Sequence, residues 1–253
     1  MKNEDNNTIK QLVLSKEQVD SVIALYSSGK INEAIVTIKT LNEDYPNVPL
    51  LYNILGACYK ALGQLEASIK MFDRAVAIKP DYAEAHNNLG NALTDLGQLD
   101  AAVKSYEKAV ALKPDYAEAH NNLGIVFKKL GQLDAAVKIF KKALAIKPDY
   151  IEVNYNLGVT LKELGQLEDA VKSYEKAVAL KPDYADAHYN LGNTLKELGR
   201  LDAAIKSYEQ ALAIKPKFAD AHYNLGGTLH ELGQLNAAVK FYEQALAIKP
   251  DYT

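Results

Sequence analysis

A strict 34-residue period runs through almost the whole chain and limits the folds that are open to it. Seven prolines keep this interval: Pro46, Pro80, Pro114, Pro148, Pro182, Pro216 and Pro250. Seven glycines, from Gly29 to Gly233, keep it too. Periods of about 20 to 50 residues are typical of architectures in which each unit stacks only on its neighbours. We therefore divide the chain into seven units: 15–48, 49–82, 83–116, 117–150, 151–184, 185–218 and 219–252.

Each unit is predicted to contain two helices. In residues 83–116, apolar side chains recur at helical spacing both before and after Gly97. Gly97 is expected to end the first helix, because glycine enters the left-handed backbone conformation at little cost. Pro114 should end the second helix, because it lacks a backbone donor. Asp115 is then expected to cap the next helix, with Glu118 completing a capping-box-like pair.

A glycine inside the first helix of six units predicts a close approach of two helices. A helix-interior glycine costs roughly 1 kcal/mol relative to alanine, so close packing would explain its recurrence. The six residues are Gly56, Gly90, Gly124, Gly158, Gly192 and Gly226. We predict an all-α fold, a right-handed α-solenoid of seven 34-residue helix-turn-helix repeats over residues 15–253. The polar residues 1–14 are expected to form a disordered N-terminal tail.

The repeated residues resemble the tetratricopeptide repeat (TPR) family, whose pattern is W-x2-L-G-x2-Y, A-x3-F and P. The second unit matches it best, through Tyr52, Leu55, Gly56, Tyr59, Ser68, Phe72 and Pro80. No tryptophan is present, and four units carry a histidine in its place: His86, His120, His188 and His222. The first unit departs further and is interpreted as an N-terminal cap. Its start, Ser15-x-x-Gln18, is a plausible capping box.

The resemblance implies that the first helix of each repeat lines a concave groove that binds an extended peptide or partner segment. Three columns of residues would then form the site. The first column is Asn88, Asn122, Asn156, Asn190 and Asn224. The second is Asn87, Asn121, Tyr155, Tyr189 and Tyr223. The third, near the helix ends, includes Lys128, Lys162 and Lys196.

The asparagine column has two interpretations that the sequence leaves open. Asparagine inside a helix costs about 0.6 kcal/mol relative to alanine. Five such unfavourable residues at equivalent positions suggest a functional site. A row of amides could bind a peptide backbone, because each amide is both donor and acceptor. The row resembles the asparagine ladder in the repeats of O-linked N-acetylglucosamine transferases. The other interpretation is that each asparagine bonds a neighbouring repeat and fixes the stacking.

The tyrosine and lysine columns support different expectations. Tyrosines offer apolar area with a polar tip, a common hot-spot chemistry, so we expect the C-terminal half to bind more strongly. The lysines are explained most simply by their positions at helix C-termini, where a positive charge complements the helix dipole.

Composition excludes several classes of function. The net charge of −3 and pI near 6.0 do not indicate the strongly basic surface that usually binds nucleic acid. The single cysteine, Cys58, allows no disulfide within the chain and is expected in the core. The sequence shows no signal peptide and no apolar run of membrane-spanning length. We therefore predict a cytoplasmic protein without cofactor, metal site or enzymatic activity. The family resemblance implies that its partner is a protein or peptide.

Two further expectations concern the C-terminal end. The last repeat carries apolar residues and no polar capping helix follows it, which favours self-association through that repeat. An alternative is that the repeats recruit substrates for a larger glycosyltransferase- or sulfotransferase-like enzyme, because repeats resembling these often precede such domains.

Overall fold

The computed structural model describes residues 14–251, and within that range the chain is entirely helical apart from turns. The expectation for the N-terminal tail falls on residues 1–13 and so lies outside the described part. The helices are α1 (Lys16–Ser27), α2 (Ile31–Asp44), α3 (Pro49–Ala61), α4 (Leu65–Ile78), α5 (Ala83–Asp95), α6 (Leu99–Leu112), α7 (Ala117–Lys129), α8 (Leu133–Ile146), α9 (Ile151–Glu163), α10 (Leu167–Leu180), α11 (Ala185–Glu197), α12 (Leu201–Ile214), α13 (Ala219–Glu231) and α14 (Leu235–Ile248).

The predicted helix ends are confirmed. Gly97 has φ of +80°, and all seven periodic glycines share this left-handed conformation. Around it, the Gln98 N–H donates to the Leu93 carbonyl at 2.8 Å and the Gly97 N–H donates to the Thr94 carbonyl at 3.1 Å. This pair of bonds is the Schellman motif, which satisfies carbonyls that a helix end would leave without partners. α6 ends at Leu112, just before Pro114.

The predicted aspartate caps are wrong. α7 is preceded by Tyr116 as its N-cap residue, and no side chain caps it. Asp115 stands one residue too early, and its backbone carbonyl accepts the Ala117 N–H at 3.0 Å instead. The capping box at α1 is confirmed, because Ser15 Oγ accepts the Gln18 N–H and Gln18 Oε1 accepts the Ser15 N–H.

The glycines inside the first helices are where the two helices of a repeat meet. A Cβ atom on Gly158 would lie 2.8 Å from the ring of Tyr174 in the facing helix. Gly56 and Gly124 face Phe72 and Phe140 at similarly short distances. Real Cβ atoms essentially never come so close to ring atoms, so an aromatic ring packs flat against a bare backbone. The helical cost of glycine is thus offset by burial of a large ring.

The helices form two compact units, Met1–Pro114 and Asp115–Thr253. In the first unit, Val22, Ile38 and Leu51 form part of a core that also contains Cys58. Cys58 is therefore a core residue, as predicted, and burial raises the pKa of its thiol. In the second unit the core is built on the rings of Phe140, Tyr174 and Tyr208 together with leucines of the first helices. The all-α repeat fold is confirmed, whereas one continuous stack over 15–253 stays a prediction.

Candidate functional site

The first helices of neighbouring repeats lie closer together than the second helices. In the unit Asp115–Thr253, the first helices α7, α9, α11 and α13 contact one another in succession. Within the described part of this unit, the second helices α8, α10, α12 and α14 make no such contacts. The first helices therefore occupy the inner side of the stack. We call the surface that carries their half-buried asparagines (Asn122, Asn156, Asn190 and Asn224) the first-helix face.

The asparagine column joins neighbouring repeats within each of the two units. Nδ2 of Asn190 donates to the hydroxyl oxygen of Tyr155 at 2.9 Å, and Nδ2 of Asn224 donates to that of Tyr189 at 3.0 Å. Nδ2 of Asn156 donates to Oδ1 of Asn121 at 3.3 Å. In the unit Met1–Pro114, the same bond runs from Asn88 to Oδ1 of Asn53 at 3.0 Å. Every one of these bonds spans 35 residues of sequence, so the amide donors stack the repeats.

The amide oxygens of the same residues take no part in these bonds. Within residues 14–251, no protein group donates to Oδ1 of Asn88, Asn156, Asn190 or Asn224. An amide oxygen has lone pairs for two donors. All four residues are half-buried rather than sealed in the core. The two interpretations of the column therefore concern different atoms: the nitrogen bonds the neighbouring repeat, and the oxygen can accept from a ligand.

The predicted groove tyrosines of the fifth and sixth repeats each pack against the aromatic residue at the end of the same repeat. The Tyr155 ring lies 5.0 Å from the Tyr184 ring, and the Tyr189 ring lies 4.8 Å from that of Phe218. Burial raises the pKa of Tyr155, and the nearby carboxylate of Asp186 raises it further, so its hydroxyl stays protonated at neutral pH. Tyr155 and Tyr189 are half-buried.

Tyr223 differs from the other two tyrosines. It belongs to the last repeat that the structure describes, and 46% of its surface is exposed. Its ring lies 5.5 Å from that of Tyr242. Tyr223 therefore offers the most accessible aromatic surface of the three.

The lysine column forms ion pairs between repeats, which the sequence analysis missed. Lys128 lies 3.1 Å from Glu163, Lys162 lies 3.7 Å from Glu197, and Lys196 lies 2.8 Å from Glu231. The acidic partners lie 35 residues after the lysines, the same offset as in the asparagine bonds. That shared offset is the sequence signal that could have revealed them. Such half-exposed pairs are each worth about 0–1 kcal/mol, so they fix register more than they stabilise the fold.

Two predicted site residues are buried. Only 1% of Asn87 and 7% of Asn121 is exposed. Oδ1 of Asn121 already accepts a hydrogen bond from Asn156. We therefore assign both residues to packing between repeats rather than to direct contact with a ligand.

The histidines in the tryptophan position hold the turns between repeats. Nε2 of His188 lies 3.0 Å from the carbonyl oxygen of Pro182, and Nε2 of His222 lies 2.9 Å from that of Pro216. In the second repeat, the Tyr52 hydroxyl donates to the Pro46 carbonyl in the same way. In residues 14–251, no group of three histidine, cysteine or acidic side chains is arranged to bind a metal. None of the helices in this range is both long and apolar enough to cross a membrane.

Comparison with known families agrees with this architecture. A family model of the TPR repeat matches residues 56–94, 90–131, 126–165, 160–199 and 192–233. A second model, of the tetratricopeptide repeat, matches residues 219–252. The chain belongs to the tetratricopeptide repeat family. No curated protein sequence matches this TPR protein significantly.

Several solved structures resemble the TPR protein. MamA is 29% identical with a TM-score of 0.63, over 64% of this chain and 95% of MamA. YrrB, described as a TPR protein with an unusual peptide-binding site, is 28% identical with a TM-score of 0.65, over 72% of this chain and 93% of YrrB. A TPR repeat-containing protein from Cytophaga hutchinsonii is 18% identical with a TM-score of 0.77, over 92% of this chain and 96% of that protein. At that identity, the last comparison shows the fold alone.

Proposed function

We propose that this TPR protein is an interaction scaffold that binds an extended segment of a partner protein along the first-helix face. The observation that carries the proposal is the set of amide oxygens that accept from no protein donor within residues 14–251, at Asn156, Asn190 and Asn224. Oxygens in this arrangement can accept backbone N–H groups, which every peptide presents. The proposed activity is binding rather than catalysis.

The spacing of the repeats suits an extended chain. Packed helices lie roughly 8–10 Å apart, and an extended peptide advances about 3.3 Å per residue. Successive asparagine oxygens would therefore meet the backbone at about every third residue of the ligand. The amide nitrogens are already bonded to the neighbouring repeat, so the oxygens are held in place before the ligand arrives. Such preorganisation reduces the entropy lost on binding.

The surroundings of the asparagines add apolar contacts. The exposed ring of Tyr223 stands next to Asn224 in α13, and aromatic side chains are frequent anchors in protein interfaces. The lysines of the third column are paired with glutamates, which favours a ligand without strong net charge. The description of YrrB as a TPR protein with a peptide-binding site supports peptide binding by a chain of this fold.

The test uses a displayed library of random linear peptides, selected on the wild-type chain. The strongest binder is then synthesised and titrated against the double variant Asn190→Ala, Asn224→Ala. We expect the Kd to rise roughly tenfold or more, because two hydrogen bonds of about 0.5–1.5 kcal/mol each are lost. Fluorescence anisotropy of the labelled peptide gives the Kd.

The matched control removes the tyrosine acceptors and keeps the amide oxygens, while Asn224 retains its bond to Oδ1 of Asn193 at 2.8 Å. Tyr155→Phe combined with Tyr189→Phe deletes the hydroxyls that Asn190 and Asn224 bond. This variant should lose thermal stability and bind the peptide within about threefold of wild type. If instead both variants lose stability and both bind as tightly as the parent, the asparagines only stack repeats and the proposal is wrong.

The alternative role, recruitment of substrates for a larger transferase, is not favoured by any observation on residues 14–251. The likeness to the asparagine ladder of O-linked N-acetylglucosamine transferases stays a hypothesis. The peptide experiment tests whether the asparagines bind a peptide, whether or not the repeats belong to a transferase.

A further inference from the structure

A cavity of about 350 Å³ opens on the inner helices of the unit Met1–Pro114. Its apolar walls come from Tyr26 of α1, Ala57 and Ala61 of α3, and Phe72 of α4. Tyr26 is 36% exposed, whereas Phe72 is fully buried and forms the floor. The cavity thus combines an aromatic floor, an accessible aromatic wall and two small side chains between them.

The second repeat lacks, at this cavity, a pair of polar groups that the third and sixth repeats carry. In the third repeat, the Tyr106 hydroxyl donates to Oδ1 of Asn91 at 2.6 Å. The sixth repeat has the same bond between Tyr208 and Asn193. The second repeat has Phe72 in place of that tyrosine and Ala57 in place of that asparagine.

A third substitution enlarges the opening. Ala61 stands where the following repeats carry Asp95, Lys129, Glu163, Glu197 and Glu231. Three acidic members of that set pair with a lysine of the preceding repeat in the C-terminal unit, and Asp95 pairs with Lys60 in this one. At Ala61 no such side chain covers the ring of Tyr26. The second repeat therefore contributes no hydroxyl, amide or charged group at these three positions, while Asn91 and Asp95 of the third repeat line the cavity.

The rim of the cavity is polar but electrically balanced. Nζ of Lys60 lies 3.0 Å from Oδ2 of Asp95, so the two charges neutralise each other. Nδ2 of Asn88 donates to Oδ1 of Asn53, and Oδ1 of Asn88 receives no donor within residues 14–251. A neutral apolar group can enter such a site, and a backbone N–H beside it can donate to Asn88.

We propose that this cavity binds one aromatic side chain of an extended peptide whose backbone N–H donates to Oδ1 of Asn88. The inference rests on the proposed function and names one side chain of its ligand. A flat ring can lie over the two alanines on α3 and make offset or edge contacts with Tyr26 and Phe72. Pockets for small-molecule ligands span about 300–1,000 Å³, so this cavity is at the lower end of the range and suits one side chain.

The probe is N-acetyl-phenylalanine methylamide, the smallest unit that carries both the ring and the backbone N–H. It is titrated into the isotope-labelled full chain, and amide shifts are followed by NMR. We expect saturable shifts at Ala57, Ala61 and Asn88, with a Kd on the order of 1 mM. The leucine and alanine analogues of the probe should bind at least threefold and tenfold more weakly.

Two variants test the location. Ala57→Asn with Phe72→Tyr rebuilds the pair that the third repeat carries at Asn91 and Tyr106, and it should weaken binding at least tenfold. Tyr26→Ala removes an exposed wall without touching the core and should weaken it at least threefold. Val159→Asn is the matched control, because it places the same amide beside Tyr174 in the fifth repeat. The control should bind the probe as the wild type does.

The outcomes separate this inference from the proposed function. Undiminished binding of the probe to the rebuilt variant, or equal binding of the leucine analogue, overturns the aromatic cavity. If the probe fails while Asn190→Ala with Asn224→Ala still weakens the library peptide, only the cavity assignment falls. If the probe binds the cavity and that double variant leaves the peptide unaffected, the proposed function along the C-terminal unit falls.

Discussion

Single glycines decide how closely the helices of a repeat approach. At Gly158, the ring of Tyr174 occupies the space that any side chain would need. Gly227 is also inside a first helix, but its nearest neighbour is different. A Cβ there would meet Nζ of Lys196 at 3.3 Å, the far end of a flexible side chain. Substitution by alanine is therefore expected to change the stability of the protein in opposite directions at the two positions.

We predict that Gly158→Ala destabilises the protein by about 1–3 kcal/mol, because the ring of Tyr174 must move out of a packed core. Gly227→Ala should instead stabilise it by about 0.5–1 kcal/mol, because alanine is the better helix former and Lys196 can shift. Urea unfolding followed by circular dichroism measures both free energies. Equal effects of the two substitutions would contradict the packing account.

Among the helices, α14 differs from the other second helices in how little of it is buried. Ala238 and Ala245 are its only buried residues, whereas α10 buries five residues including Tyr174. Four of its apolar side chains are substantially exposed: Leu235, Val239, Leu246 and Ile248. Few buried contacts lower the free energy needed to open an element locally.

We predict that amide hydrogens of α14 exchange with solvent at least tenfold faster than those of α10, because α14 opens with less loss of burial. Hydrogen exchange followed by mass spectrometry compares peptides from residues 235–248 and 167–180 in one experiment. Equal protection of the two helices in a dilute sample would contradict this prediction. It would show that the contacts between α13 and α14 are enough to keep α14 folded.

For the whole molecule, the same exposed face bears on its association state. The prediction of self-association through the last repeat is untested, and the exposure of Leu246 and Val239 supports it. Contiguous apolar surface of this kind marks interaction sites on soluble proteins. In the first repeat, Ser15 and Gln18 cap α1.

We predict that the chain sediments as a concentration-dependent dimer or larger species. Val239→Lys with Leu246→Lys should return it to the monomer, because charged side chains cannot be buried in an apolar contact. Val36→Lys, at a position in α2 that is 65% exposed, is the matched control and should leave sedimentation unchanged. A monomer at every concentration in analytical ultracentrifugation would refute the prediction.

The sequence predicted the fold well because its period marks every helix end. Prolines, left-handed glycines and the glycine-aromatic contacts each follow from one residue's backbone or volume. The aspartate caps failed because a pattern cannot place the first helical residue to within one position, as Asp115 and Tyr116 illustrate. The sequence also did not predict that the amide nitrogen and the amide oxygen of each asparagine have different roles. This difference depends on which acceptor, Tyr155 or Asn121, the preceding repeat brings within bonding distance.

The constant offset of these bonds makes the repeats interchangeable. If residues 151–184 were deleted, Asn190 would follow Asn121 at the distance in sequence that Asn156 now has, and it would inherit the same acceptor. Gain or loss of one whole unit therefore creates no new type of boundary. Duplication of one repeat in the gene could lengthen the surface by one asparagine. The number of peptide residues that contact this surface would then increase by about three.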